Sequence, residues 1–183
     1  MIYETLAYAV DHNVAVITLN RPRVMNALNS QMRAEITDAM GQAGQAARVV
    51  VLTGSGRAFC SGQDLGAEGN FADIDLERTL KDEYVPMLKA ITECPVPTIS
   101  AVNGPAAGAG ANLALAADVV IAAESAYFVQ AFTRIGLIPD AGGTYLLPRQ
   151  MGLAKAMGAA LFADKIYARQ ASEMGMIWES VAD

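Results

Sequence analysis

Three short, uncharged runs rich in β-branched residues set the terms on which this chain can fold: residues 49–53, Thr98–Val102 and residues 119–122. The first breaks at Gly54-Ser55-Gly56 and the second at Asn103-Gly104. Each reads as a buried strand entering a loop. Ser30–Ala46 carries Met32, Ile36, Ala39, Met40 and Ala43 at helical spacing, with Asn29 or Ser30 as N-cap. Further helices are expected over residues 73–92, with Asp73 and Asp75 near its start, and over 108–117, 142–150, Leu153–Phe162 and 168–174. Residues 2–10 and Val14–Leu19 flank the polar turn Asp11-His12-Asn13 as a strand hairpin, and Tyr127–Val129 is a short strand. Short strands alternating with helices give an α/β fold class.

The length of 183 residues corresponds to roughly one domain of ~150 residues. No repeat or linker divides it, so residues 1–183 are expected to form a single domain. Hydrophobic residues make up 53% and charged residues 17%, which excludes intrinsic disorder. With 13 Lys+Arg against 19 Asp+Glu, the net charge of −6 argues against nucleic acid or anionic membrane as a partner. Residues 106–123 are apolar but contain Gly108, Gly110, Asn112 and Asp118, and read as buried helix plus buried strand rather than a membrane span. Cys60 and Cys94 are too few for a disulfide framework or a zinc site and read as free thiols. Met1 leads into the first strand without a signal-peptide pattern, so the expected location is cytoplasmic.

Several chemistries lack their residues. His12, the single histidine, sits in the hairpin turn, no G-x-S-x-G elbow occurs, and Cys60 has no histidine activator. Gly54-Ser55-Gly56 and Gly108-Ala109-Gly110 lack the third glycine of a dinucleotide fingerprint, since Phe59 and Leu113 stand there. What remains is a pair of glycine-containing segments, 56–65 and 103–112, each following a buried strand. Exposed N–H groups in such segments can hold developing negative charge as an oxyanion hole. The same glycines also serve tight turns and close packing, and spacing alone does not choose between the two roles.

Residues 57–65, 101–118 and 136–149, with Leu19-Asn20-Arg21-Pro22 and Asn26-Ala27-Leu28, resemble the signature blocks of the crotonase, or enoyl-CoA hydratase/isomerase, superfamily. The resemblance implies a crotonase-type spiral of repeated ββα units, an acyl-CoA thioester substrate, and no metal or separate cofactor, coenzyme A being part of the substrate. It implies that the backbone N–H groups of Gln63 and Ala109 form an oxyanion hole. It also implies that Ser61, Gly62, Asp64, Leu65, Gly108, Asn112 and Phe132 contact substrate. Family hydratases use two glutamates, and here those positions carry Asn112 and Phe132, neither of which can act as a base. Asp140, in Gly136-Leu137-Ile138-Pro139-Asp140, stands where the family's double-bond isomerases often place their acid.

The implied activity is therefore isomerisation through a thioester enolate, shifting a double bond or opening a ring epoxide to an oxepin, with Asp140 as general acid and base. The resemblance implies a place in phenylacetate or fatty-acid catabolism for such chemistry. Leu137, Ile138, Leu146 and Leu147 suggest an apolar setting that raises the Asp140 pKa, although its position also suits an N-cap of the following helix. Phe132, with Phe71, Tyr84, Met87 and Leu88, could wall an acyl or aryl pocket or be plain core. Competing activities are an aliphatic enoyl-CoA isomerase or hydratase, a 4-chlorobenzoyl-CoA-type dehalogenase, and a non-catalytic acyl-CoA-binding subunit. Family members continue past the Trp178 region into C-terminal helices that drive assembly as a homotrimer or dimer of trimers, and those helices are missing here.

Overall fold

The computed structural model describes residues 2–66 and 75–183. Phe71 and Asp73 fall outside the described residues, so the pocket role of the first and the helix-start role of the second are not part of this description.

The hairpin forms from β1 (Leu6–Asp11) and β2 (Val14–Leu19), paired antiparallel. His12 and Asn13 take left-handed φ values of 47° and 63° at its turn. From β2 onward the large sheet is parallel, running through β3 (Val49–Gly54), β4 (Thr98–Val102), β6 (Val119–Ala123) and β9 (Glu179–Val181). Alternate residues of the strands point inward: Ala15, Ile17 and Leu19 on β2, Val50 and Leu52 on β3, Val120 and Ala122 on β6. Burying a Leu, Ile or Val side chain contributes about 1.5–3 kcal/mol, so this face anchors the fold.

Helix α1 (Ser30–Ala46) buries Met32, Ile36, Ala39, Met40 and Ala43, all five residues of the expected apolar stripe. Asn29 caps it by accepting from the Met32 N–H at 2.9 Å. The helix expected over 73–92 is composite in its described part: α2 (Leu76–Thr79), a π-helical turn (Leu80–Tyr84) and α3 (Val85–Thr92). Asp75 caps α2 through its side chain, accepting from the Arg78 N–H at 3.0 Å.

Of a second, shorter ladder only Tyr127–Val129 is legible from sequence. β5 (Ala106–Ala107), β7 (Tyr127–Val129) and β8 (Ile166–Tyr167) form a three-stranded sheet. It is extended in the parallel sense by the single bridges Cys60 to Ala106 and Leu28 to Gln63. Successive turns of chain thus give one strand to the large sheet and a short one to the second ladder, with helices such as α4 (Ala109–Leu115) between them. This is the repeated ββα spiral that the family resemblance implies. The chain closes with α5 (Gly143–Met151), α6 (Leu153–Phe162) and α7 (Ala168–Glu173).

Where the ladders meet, backbones touch. A Cβ at Gly110 would lie 2.4 Å from the Cys60 carbonyl oxygen, and one at Gly62, whose φ is +93°, 2.7 Å from the Ala107 carbonyl oxygen. Both positions therefore exclude a side chain. The two glycine-containing segments are in direct contact.

Candidate active site

The contact between those segments forms one wall of a cavity of about 300 Å³. Ser61, Gly62, Gln63, Leu65, Gly108 and Ala109 supply that wall. Leu76, Thr79, Leu80 and Tyr84 come from α2 and the π-turn, and Ala131, Phe132, Arg134, Ile135, Leu137 and Asp140 from the segment before α5. Among the described residues, Asp140 is the carboxylate on the lining.

The Gln63 wall is tightly fastened. The bridge to Leu28 uses the Gly62 carbonyl, which accepts from Leu28 N–H at 2.8 Å, and the Asp64 N–H, which donates to the Leu28 carbonyl at 3.0 Å. The Gln63 N–H stays out of that ladder, and neither it nor the Ala109 N–H donates to another described residue. A Cβ at Gly62 would come within 3.4 Å of the Ala109 nitrogen, so the two amides sit on adjacent stretches of backbone. The Gln63 side chain is held from behind: its Oε1 accepts from Arg33 Nη1 at 2.8 Å and from the Tyr84 hydroxyl at 2.7 Å. Arg33 is fully buried, donates to the Leu28 carbonyl at 2.8 Å, and pairs with Glu83 at 2.7 Å. Burial raises the Tyr84 pKa, and nearby Arg33 pulls against that rise.

Asp140 is treated differently. Its Oδ1 is buried with no hydrogen-bond partner among the described residues. Burial raises its pKa from 3.8 to about 6, while a hydrogen bond from its own backbone acts the other way. The capping alternative fails: α5 is capped by Gly142 with no side-chain hydrogen bond, and it is the Asp140 carbonyl that accepts from Gly143 N–H, at 2.8 Å. The apolar surroundings also differ in detail from expectation. Ile138 is 77% exposed, Leu147 is core, and Leu137 is the one of the four named leucine and isoleucine neighbours that lines the cavity.

Other expected contacts separate into those on the cavity and those behind it. Ser61, Gly62, Leu65, Gly108 and Phe132 line it, but Asn112 and Asp64 do not. Asn112 is fully buried and bonded to the Asp140 carbonyl. Asp64 pairs with Arg21 at 2.7 Å and accepts from the Gly66 N–H at 3.1 Å. Met87 is core, and Leu88 packs partly buried against it rather than lining the cavity.

Asn26 had no role in the sequence reading beyond its motif. It is fully buried and donates through Nδ2 to the carbonyls of Ser55, Ala58 and Phe59, at 3.0, 2.9 and 3.1 Å, which ties the 55–59 loop to the start of the chain. The Asn26-Ala27-Leu28 block was the signal, but the use of one amide to hold three carbonyls is a tertiary fact. Cys60 packs as a buried thiol whose pKa is pushed up to about 12, far from a nucleophile's range. Among the described residues there is no cluster of three metal-ligating side chains, and no helix is long and apolar enough to cross a membrane.

Comparison with known proteins agrees with this architecture. Residues 9–183 match the family described as enoyl-CoA hydratase/isomerase. A Rhodobacter capsulatus protein named a probable enoyl-CoA hydratase is 64% identical over 183 residues, covering 100% of this chain and 71% of its own. The 1,2-epoxyphenylacetyl-CoA isomerase of Escherichia coli is 47% identical over 179 residues, covering 95% and 68%. The crystal structure of an enoyl-CoA hydratase from Mycobacterium avium subsp. paratuberculosis superposes with a TM-score of 0.89 at 33% identity, over 99% of this chain and 70% of that one. The chain is an enzyme that belongs to the crotonase, or enoyl-CoA hydratase/isomerase, family.

Proposed function

We propose that this enzyme isomerises unsaturated acyl-CoA thioesters, with Asp140 as the one acid/base group and the N–H groups of Gln63 and Ala109 as the oxyanion hole. The observation that carries this reading is the half-buried Asp140 carboxylate on the cavity lining, whose Oδ1 is buried without a partner among the described residues. A pKa near about 6 makes it a stronger base than a solvated aspartate while leaving it ionised at neutral pH.

In this mechanism the thioester oxygen lies between the two amides. Asp140 takes a proton from the α-carbon, and the C–H electron pair moves through the thioester onto that oxygen as an enolate. The same carboxyl returns the proton at the γ-carbon, the electrons fall back, and the double bond has moved with no net redox change. Phe132 brings no acid to the opposite side, and the Asn112 side chain is fixed behind the wall. No second general base for water is therefore present on the lining among the described residues. The similarity to the E. coli epoxide isomerase extends the reading to aryl-CoA ring epoxides, whose opening to an oxepin also conserves mass.

Hydration is the second reading, favoured by the name of the Rhodobacter relative at 64% identity. Mass spectrometry of products from 2-enoyl, 3-enoyl and ring-epoxide CoA thioesters separates the two. Isomerisation gives products of unchanged mass, and hydration adds one water. A dominant water adduct whose formation survives Asp140→Asn overturns the proposal.

A further inference from the structure

Behind Asp140 lies a hydrogen-bonded set that the acid/base chemistry does not itself use. Asn112 Nδ2 donates to the Asp140 carbonyl oxygen at 2.8 Å, and Gln130 Nε2 donates to Asn112 Oδ1 at 2.9 Å. Asn112 is fully buried and Gln130 is 1% exposed. A carbonyl can only accept, so the Asp140 oxygen dictates which way the Asn112 amide faces, and Asn112 in turn dictates that of Gln130. The Gly143 N–H donates to the same Asp140 oxygen at 2.8 Å, so both lone pairs of that carbonyl are engaged.

That carbonyl opens a turn that its own Gly143 N–H bond closes but that carries backbone strain. Ala141 takes φ +44° and Gly142 φ +81°. Alanine in the left-handed region carries a steric cost, which a second hydrogen bond to the same carbonyl helps to offset. The space for that bond is provided for: a Cβ at residue 143 would lie 2.5 Å from Asn112 Nδ2, and residue 143 is glycine.

We propose that Asn112, braced by Gln130, is a positioning residue that clamps the Asp140 carbonyl and so holds the carboxylate on the cavity wall instead of letting it swing into water. The inference rests on the acid/base reading of Asp140. Asn112 lies off the cavity lining, so it acts through Asp140 and not on the substrate.

Asn112→Leu in the intact enzyme keeps the branched shape and the number of heavy atoms and removes both hydrogen bonds. The expected result is a fall in kcat of about 10²-fold, the scale of an ångström-sized misplacement, with KM constant within about twofold. The acid limb of the kcat profile, expected at about pH 6 in the wild type, moves down as the carboxylate regains water. Among the described residues, Tyr84, whose hydroxyl pKa burial pushes upward and so away from that range, and Arg134 are the other titratable or charged groups lining the cavity. A folded variant with wild-type kcat, or with reduced kcat and an unmoved acid limb, overturns the clamp. Should Asn112→Leu not fold, Gly143→Ala serves: its new Cβ pushes against the Asn112 amide, with an expected loss of about tenfold and the same shift of the limb. Wild-type behaviour of that variant overturns the proposal equally. Retained turnover in Asp140→Asn would instead sink the acid/base reading, so the two failures are distinguishable.

Discussion

The two walls of the cavity are built on opposite principles. At Gln63 the side-chain oxygen and the backbone are both tied: a buried arginine and a tyrosine hydroxyl converge on Oε1 and a backbone bridge flanks the residue, leaving its N–H out of the ladder, while Nε2 is buried without a partner among the described residues. At Asp140 the backbone carbonyl accepts from Asn112, but the carboxylate keeps Oδ1 buried and without a partner among the described residues. A group that stabilises charge works best when it cannot reorient. A group that moves a proton needs a pKa near the working pH, and that requires withholding partners. On the mechanism proposed above, the contrast gives rigidity to the wall that would hold charge and reactivity to the wall that would move the proton.

Asp140→Asn breaks the contrast most severely. Turnover of a 3-enoyl-CoA is expected to fall by about 10³-fold, within the usual range for loss of a positioned acid/base, while thioester binding measured by calorimetry persists. In the wild type, kcat is expected to rise with pH through about 6, because proton removal needs the ionised form. Next in size is Arg33→Met on the Gln63 wall. It strands Glu83 and leaves Gln63 Oε1 with one donor fewer, and should lower unfolding free energy by about 3 kcal/mol in urea titrations. Adding Glu83→Gln to that variant should recover part of the loss, since no uncompensated carboxylate then remains. Tyr84→Phe is milder. The ring and its packing against Arg33 stay, one hydrogen bond to Gln63 goes, and kcat should fall by about tenfold with KM steady.

The first wall was partly legible in the sequence and the second nearly so, for different reasons. Val14–Leu19, Thr98–Val102, Tyr127–Val129, Ser30–Ala46 and Leu153–Phe162 follow the expected bounds because local periodicity and capping determine them. β5 and β8, of two residues each, carry no periodic signal and exist only because the spiral brings them beside β7. The Arg33 and Tyr84 contacts with Gln63 span 30 and 21 residues of chain, beyond any local pattern. Asp140 could be named from its motif, yet not its freedom from capping, since that depends on Gly142 taking φ +81° as the helix cap. Asn112 was expected to touch substrate. Its place at a glutamate position of the family's hydratases marked it, but the direction of its hydrogen bond required the fold.

The smallest expected effect tests the Asp140 wall from the side of stability. An aspartate whose folded pKa exceeds its unfolded value binds protons more readily in the folded state, so stability falls as pH rises from the unfolded value of about 4 through about 6. The cost is fully present at neutral pH and absent at pH below the unfolded pKa. Asp140→Asn removes the charge that burial penalises, so it should stabilise the protein at pH 7 by about 1 kcal/mol, discounted for the half-exposed setting. The gain should vanish near pH 3.5. Urea unfolding at the two pH values reads this directly. Equal effects at both would mean that the substitution acts through packing, and that the bare carboxylate stores no electrostatic cost for use in proton transfer.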